Sequence, residues 1–151
     1  MAHVNLSKAQ PASYEAMMQL NQKAVEGAAE AGLDARLIEL IKIRASQLNG
    51  CAFCLRMHTA DAVKHGESAE RLAVLPAWWE SQYFSDTERA ALQLTEQVTL
   101  ISDHGKVAER GVQPPEHLSE PQIAAVTWLA IVINAWNRIA ITSHYPVAPR
   151  A

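Results

Sequence analysis

The apolar residues of this chain recur at intervals of three and four positions, which is the period of an amphipathic helix. In a first segment they run from about Ser13 to Gly32, a residue that favours the end of a helix. In a second segment, capped by Asp34, an apolar stripe continues until Asn49-Gly50 interrupts it. These two segments predict two long helices separated by a short turn.

The rest of the chain predicts four more helices. The ends of these helices are marked by a glycine and a proline, and two of their starts by Ser-x-x-Glu/Gln capping sequences. The predicted segments are Cys51 to His65, a short helix after Gly66-Glu67-Ser68 that ends near Leu75-Pro76, Ser85 to Ile101, and Ser119 to Thr142. A long loop is expected from Ser102 to Leu118. Since no segment alternates polar and apolar residues convincingly, we predict an all-α fold, a single-domain bundle of about six helices over residues 1–151.

Charge and hydropathy narrow the function classes. Lys and Arg total 13 against 16 Asp and Glu, with no basic run, so nucleic acid is not an expected partner. The N-terminus lacks the charged start and apolar stretch of a secretory signal. The apolar run from Ile123 to Trp136 is shorter than the roughly 20 residues that span a bilayer. We therefore expect a cytoplasmic protein without a membrane segment.

The chain has two cysteines, and they stand in one C-x-x-C pair, Cys51-Ala52-Phe53-Cys54. A secreted disulfide scaffold would use more cysteines at longer spacings. A lone C-x-x-C pair without an export signal indicates redox chemistry or metal binding.

The bend predicted at Asn49-Gly50 decides whether an acid can reach these thiols. On one straight helix Glu39 and Cys51 would lie about 18 Å apart. If the chain instead folds back at the bend, Glu39 comes beside His58, which shares a helix face with Cys54. Cys51 and Cys54, three positions apart, are within disulfide reach. The sequence therefore allows a connected group of Glu39, His58, Cys54 and Cys51.

Each member of this group has a chemical role. Only the thiolate attacks a peroxide or a disulfide, and an ordinary thiol is mostly protonated at neutral pH. His58 titrates near neutrality and can take the proton of Cys54, while a buried Glu39 can orient the imidazole. At the start of a helix, Cys51 has its own thiolate favoured by the helix dipole. By the dipole alone, Cys51 is the better nucleophile.

The spacing E-x11-C-x2-C-x3-H formed by these four residues closely resembles the motif of the alkylhydroperoxidase D-like family, within the carboxymuconolactone decarboxylase superfamily. The resemblance is strongest from about Leu37 to Ala69 and weaker over most of the chain. It implies a helical homo-oligomer that reduces hydroperoxides and is re-reduced by an external dithiol such as dihydrolipoamide, with no bound cofactor or metal.

By the same resemblance, Cys54 is the peroxidatic cysteine, Cys51 resolves its sulfenic acid to a disulfide, and His58 and Glu39 relay protons. His58 lies one turn beyond Cys54, which favours this order over the one from the dipole. The chain departs from the best-known member at Phe53, which replaces a histidine, so one group that handles protons is missing.

Other interpretations remain open from the sequence. The same dithiol could serve a general disulfide reductase or a redox stress sensor. A zinc-stabilised binding module would use Cys51, Cys54 and His58, with His104 or His117 as fourth ligand. A c-type haem is excluded because Leu55, and not histidine, follows the second cysteine.

Several residues have roles that the sequence leaves undecided. Arg44 and Gln47 could hold the acid or face solvent. Four tryptophans are expected in the core or at a subunit interface, with one of them possible as a wall of the thiol pocket: Trp78, Trp79, Trp128 and Trp136. Together with the apolar final helix, they predict a homo-oligomer, a dimer, trimer or hexamer.

Overall fold

The computed structural model describes residues 3–103, 107 and 110–149. Within these residues the chain forms eight α-helices, two 3-10 segments and no strand. The α-helices are α1 (Leu6–Ala9), α2 (Pro11–Glu30), α3 (Ala35–Asn49), α4 (Ala52–Lys64), α5 (Ala69–Val74), α6 (Asp86–Thr99), α7 (Pro114–His117) and α8 (Glu120–Thr142). The prediction of an all-helical fold is confirmed.

The six predicted helices are α2, α3, α4, α5, α6 and α8. The additional helices α1 and α7 have four residues each, too few to show a helical period in the sequence. Helix α7 lies inside the predicted loop and has Pro114 at its first position, where the missing N–H has no cost. Of that predicted loop, residues 104–106 and 108–109 lie outside the described part of the chain.

The helix starts follow the predicted caps. Asp34 accepts a hydrogen bond from the backbone N–H of Arg36 at the start of α3. Ser85 and Ser119 each form a complete capping box, at α6 and at α8. Such caps satisfy backbone N–H groups that have no partner within the helix, so these starts are determined locally.

Helix α3 lies at the centre of the bundle, in contact with α4, α6 and α8. Ten consecutive residues of α3, 37–46, are buried, so its polar residues as well as its apolar stripe face other helices. Helix α8 is long and apolar enough to span a membrane by length and composition alone. It packs against α2, α3 and α6, which is the position of a core helix.

The predicted bend is present between α3 and α4. Gly50 has φ 68° and ψ 34°, a left-handed conformation that glycine adopts without a steric penalty. The N–H of Cys51 donates to the carbonyl of Ser46 at 3.0 Å and closes the end of α3, as in a Schellman motif. As a result α4 packs back along α3, and residues on either side of the bend come together.

Candidate active site

The two cysteines lie in contact at the beginning of α4. Cys51 is the N-cap residue and Cys54 lies in the first turn. Their Sγ atoms are 2.7 Å apart, both thiols are free, and both residues are buried. A disulfide needs an S–S distance of about 2.05 Å. A small movement of either side chain is therefore enough to join the sulfurs.

Cys51 is placed so that its sulfur faces the positive end of α4. Its Sγ accepts a hydrogen bond from the backbone N–H of Cys54 at 3.4 Å. Hydrogen bonds of this kind and the helix dipole both stabilise negative charge on sulfur. The structure thus places Cys51 at the helix start, as the sequence predicted.

Cys54 is in a different environment. Burial, together with the hydrogen bond to Cys51 and the charge of that neighbour, raises the pKa of the Cys54 thiol to about 12, although the Asn137 side chain acts in the opposite direction. At neutral pH Cys54 therefore keeps its proton until a base removes it.

Glu39 and His58 meet as the bend requires. His58 Nδ1 lies 2.8 Å from Glu39 Oε2, and both side chains are about nine-tenths buried. Since Nδ1 is engaged by the carboxylate, Nε2 is the ring nitrogen left for proton exchange. Glu39 on α3 and His58 on α4 are thus joined across the bend.

Lys42 is a third member of this pair that the sequence analysis missed. Its Nζ donates to Glu39 Oε1 at 2.8 Å, and its side chain is 10% exposed. Burial raises the pKa of Glu39, but the hydrogen bond with His58 and the charge and hydrogen bond of Lys42 outweigh it, so that the pKa lies below its ordinary value. Glu39 therefore stays ionised beside His58. The available signal was the spacing of three residues between Glu39 and Lys42 on one helix.

A pocket of about 410 Å³ opens beside Cys54 and His58. Besides these two residues its wall includes Lys42 and Asp61 from α3 and α4, and apolar or aromatic residues from four parts of the chain: Tyr14, Met18, Phe53, Met57, Trp136 and Tyr145. Trp136 is thus the tryptophan that walls the thiol pocket, and it donates from Nε1 to Asn21 Oδ1 at 3.2 Å. Tyr14, Asn21 and Tyr145 carry no sequence signal for this role because they are far from the motif in the chain.

Buried amides connect the cysteines to α8. Asn137, which is fully buried, donates to Ser46 Oγ at 2.9 Å and accepts from Asn49 Nδ2 at 2.8 Å. Ser46 in turn donates to the carbonyl of Lys42 at 2.7 Å. Since Asn137 also contacts the Cys54 thiol, this network fixes the back of the site.

The undecided residues on α3 face another part of the core. Arg44 donates from Nε to Glu96 Oε1 at 2.8 Å, and from a second nitrogen to Gln47. The indole N–H of Trp78 donates to the same oxygen of Glu96. Arg44 and Gln47 therefore stabilise the packing of α3 on α6, and the acid Glu39 is held by Lys42.

The described residues do not assemble the zinc ligands considered from the sequence. The three possible ligands that do cluster, within 4.8 Å of one another, are Glu39, His58 and Asp61, and neither cysteine is among them. The ammonium of Lys42 already neutralises Glu39 there. His117 is exposed on α7, and His104 lies outside the described residues.

An all-helical bundle with a buried C-x-x-C pair at a helix start, beside a Glu–His pair, has the architecture of the alkylhydroperoxidase D-like proteins. Residues 11–97 match the carboxymuconolactone decarboxylase family, and the chain belongs to that family. It is 48% identical over 103 residues to the uncharacterized protein YdfG of Bacillus subtilis strain 168, covering 68% of this chain and 70% of YdfG.

The fold is also similar to a crystal structure from Agrobacterium tumefaciens. That protein, of unknown function, is described as a candidate antioxidant defence protein AhpD. The TM-score is 0.82 at 34% identity, over 98% of this chain and 100% of the other. The fold and the family expected from the motif are thus confirmed, and the activity is the remaining question.

Proposed function

We propose that this protein is a thiol-dependent hydroperoxide reductase, an antioxidant enzyme that uses the Cys51–Cys54 dithiol. The observation that carries the proposal is the contact between the two sulfurs, 2.7 Å, at the edge of a pocket that also contains the Glu39–His58 pair. A reacting dithiol and a buried base thus share one site. The antioxidant description of the Agrobacterium protein agrees with this chemistry.

In the proposed reaction Cys54 is the peroxidatic residue. His58 takes the thiol proton, the thiolate attacks the distal peroxide oxygen, and the O–O bond breaks. The leaving alkoxide or hydroxide receives the proton from His58, and Cys54 becomes a sulfenic acid. Cys51 then attacks the sulfur of Cys54, its thiol proton passes to the leaving hydroxide, and water leaves as the disulfide forms. An external dithiol, of the dihydrolipoamide kind, returns both cysteines to thiols.

Glu39 has a supporting role in this scheme. As an anion 2.8 Å from Nδ1, it stabilises the imidazolium that exists while His58 holds the proton. The low pKa of Glu39, due largely to His58 and Lys42, keeps the carboxylate charged throughout the neutral range. The proton therefore travels between Cys54, His58 and the leaving oxygen and does not stay on Glu39.

The proposal is tested by following peroxide consumption with dithiothreitol as donor. Cys54→Ser is expected to abolish the reaction, and His58→Phe to lower its rate by about 100-fold or more, the usual contribution of a general base. His65→Phe is the matched control, because His65 is exposed at the C-terminal end of the same helix. A wild-type protein that consumes neither hydrogen peroxide nor an organic hydroperoxide would exclude this function.

One observation favours a second candidate function, that of a disulfide reductase or redox sensor. The pKa of about 12 at Cys54 disfavours a spontaneous thiolate there, while disulfide exchange can begin at Cys51. Mass spectrometry before and after one equivalent of peroxide separates the two. A protein that is inert to peroxide, yet forms a reversible Cys51–Cys54 bridge with a disulfide, would support the second candidate.

We also propose that the protein is a cytoplasmic homo-oligomer. Large apolar side chains stay exposed along α8, among them Trp128 at 51% and Ile131 at 43%. Exposed apolar surface on one helix is typical of subunit interfaces. A monomeric mass at micromolar concentration, measured by light scattering, would contradict the oligomer.

A further inference from the structure

The dithiol borders a second cavity, separate from the pocket beside Cys54. This cavity of about 330 Å³ includes Cys51 in its wall, together with Ala52 from α4 and Ile141, His144 and Val147 from the end of α8 and the tail that follows. Cys54 and His58 line the first pocket and not the second. Each cysteine thus lines a different cavity.

Two aromatic rings divide the cavities. Phe53 and Tyr145 line both, and their rings meet edge to face with centroids 5.0 Å apart. Phe53 directly precedes Cys54, so one of the two rings belongs to the C-x-x-C segment itself.

The cavities differ in charge. The first contains Lys42, His58 and Asp61. Among the described residues that line the second, none is Asp, Glu, Lys or Arg. A neutral thiol can enter such a cavity without the loss of solvation that a charged one would suffer.

His144 stands at the rim of the second cavity in an unusual conformation. It has φ 51°, in the left-handed region, directly after α8, where glycine is favoured. The N–H of Tyr145 donates to the carbonyl of Ala140 at 3.1 Å and closes the helix around it. Non-glycine residues held in this conformation are concentrated at functional sites. Its ring stacks on that of His3, with the ring centroids 3.3 Å apart. The imidazole is exposed, so it can accept a proton from a molecule that enters beside Cys51.

We propose that an uncharged dithiol reductant binds in this second cavity and attacks the oxidised protein at Cys51, while the peroxide reacts at Cys54 from the first pocket. The inference rests on the proposed function, since it assigns the reductive half of that reaction. Displacement at sulfur proceeds in line with the bond that breaks, so attack on Cys51 comes from the side away from Cys54. The second cavity contacts Cys51 without contacting Cys54, as this approach requires.

The proton balance uses a histidine on each side. His144 accepts the proton of the entering thiol, the thiolate bonds to Cys51 Sγ, and the Cys51–Cys54 bond breaks. Cys54 leaves as a thiolate and, because burial raises its pKa, takes a proton that His58 has regained from solvent after the peroxide half-reaction. The second thiol of the donor then attacks the donor sulfur of the mixed disulfide. Cys51 is released with the proton of that second thiol, His144 returns its own proton to solvent, and the donor departs as a cyclic disulfide.

The test follows the two half-reactions separately. The disulfide form is prepared with diamide, so that its reduction by dithiothreitol does not depend on peroxide activity, and acid quenching with alkylation and mass spectrometry gives the rates. Ala52→Phe narrows the second cavity, and Met57→Phe, on the same helix, narrows the first. We expect Ala52→Phe to slow reduction about tenfold and to change oxidation by peroxide less than about twofold, with the reverse for Met57→Phe.

Two measurements on the wild-type protein and one further variant test the inference without Ala52→Phe and Met57→Phe. Mercaptoethanol, added to the disulfide form and quenched early, should be found on Cys51 in peptide mapping. Mercaptoethanesulfonate, similar in size but charged, should react more slowly than mercaptoethanol by about tenfold or more. His144→Gly, which suits the left-handed backbone there, should slow reduction of the disulfide form.

The outcomes distinguish this inference from the proposed function. An adduct on Cys54, or equal rates for the neutral and charged thiols, would overturn the second cavity as the reductant site even if peroxide is consumed. Conversely, if the protein consumes no peroxide but the adduct still forms on Cys51, the peroxidase function is wrong and the reductant site in the second cavity stands. If diamide forms no bridge, both are wrong.

Discussion

Lys42 offers the sharpest test of the site, because its buried ammonium forms an ion pair with Glu39. Substitution Lys42→Met keeps the length of the side chain and the helix propensity but removes the charge. Glu39 then retains His58 alone. Removing one partner of a buried ion pair costs about 3–5 kcal/mol, and the lower end applies here since Glu39 can bind a proton and keeps one hydrogen bond.

A loss of about 3 kcal/mol corresponds to a fall in Tm of about 6–12 °C for a chain of this length. The same change removes the charge and hydrogen bond that lower the pKa of Glu39, while burial, which raises it, remains. The pKa of Glu39 therefore rises in Lys42→Met. Its carboxylate is lost at a higher pH, and the acid side of the activity profile moves toward neutrality.

Thermal unfolding by circular dichroism and a pH–rate profile of peroxide consumption measure these two effects. Lys23→Met is the matched control: Lys23 and Glu26 also form a pair with a spacing of three and a distance of 2.8 Å, but on an exposed face of α2. Its Tm should equal that of the wild type. An unchanged Tm and acid limb in Lys42→Met would refute the role given to this lysine.

Three further predictions concern the groups around the dithiol. Asn137→Leu should lower the free energy of unfolding in urea by about 1–3 kcal/mol, because the buried Ser46 hydroxyl loses its hydrogen bond. The same substitution should raise the pKa of Cys54 further, which slower alkylation by iodoacetamide would show. Gly50→Ala should lower the free energy of unfolding by about 1–2 kcal/mol, because alanine is strained in the left-handed conformation of this residue. No clash contributes, since an added Cβ meets nothing within 4 Å. Gly27→Ala is the control: this site is equally open but helical, and the substitution should not destabilise the fold. Because the folded pKa of Glu39 is lowered, its charge contributes stability above its ordinary pKa that is lost as pH falls through the folded value. Urea unfolding of Glu39→Gln between about pH 3 and 6 should lack this acid dependence.

The sequence determined the helices and the bend because their causes are local. A repeat of apolar positions, Asp34 and Ser85 as caps, and Gly50 at the turn each act within a few residues of where they stand. The spacing of Cys51, Cys54 and His58 on one helix is local in the same sense. The bend then brought Glu39 to His58 at 2.8 Å, which a count of residues on either side could anticipate.

Only the tertiary structure decided the environment of the thiols. Lys42 is polar and would be taken for a solvated residue, and its pairing with Glu39 follows from the burial of α3 on several sides. The burial that raises the pKa of Cys54 depends on tertiary packing, and the amide of Asn137 and the ring of Tyr145 reach the site through the packing of α8 and the residues after it against α4. Burial, and pairing between segments almost a hundred residues apart, depend on how all the helices pack, so no local pattern encodes them. The motif located the two sulfurs, and this packing sets their reactivity.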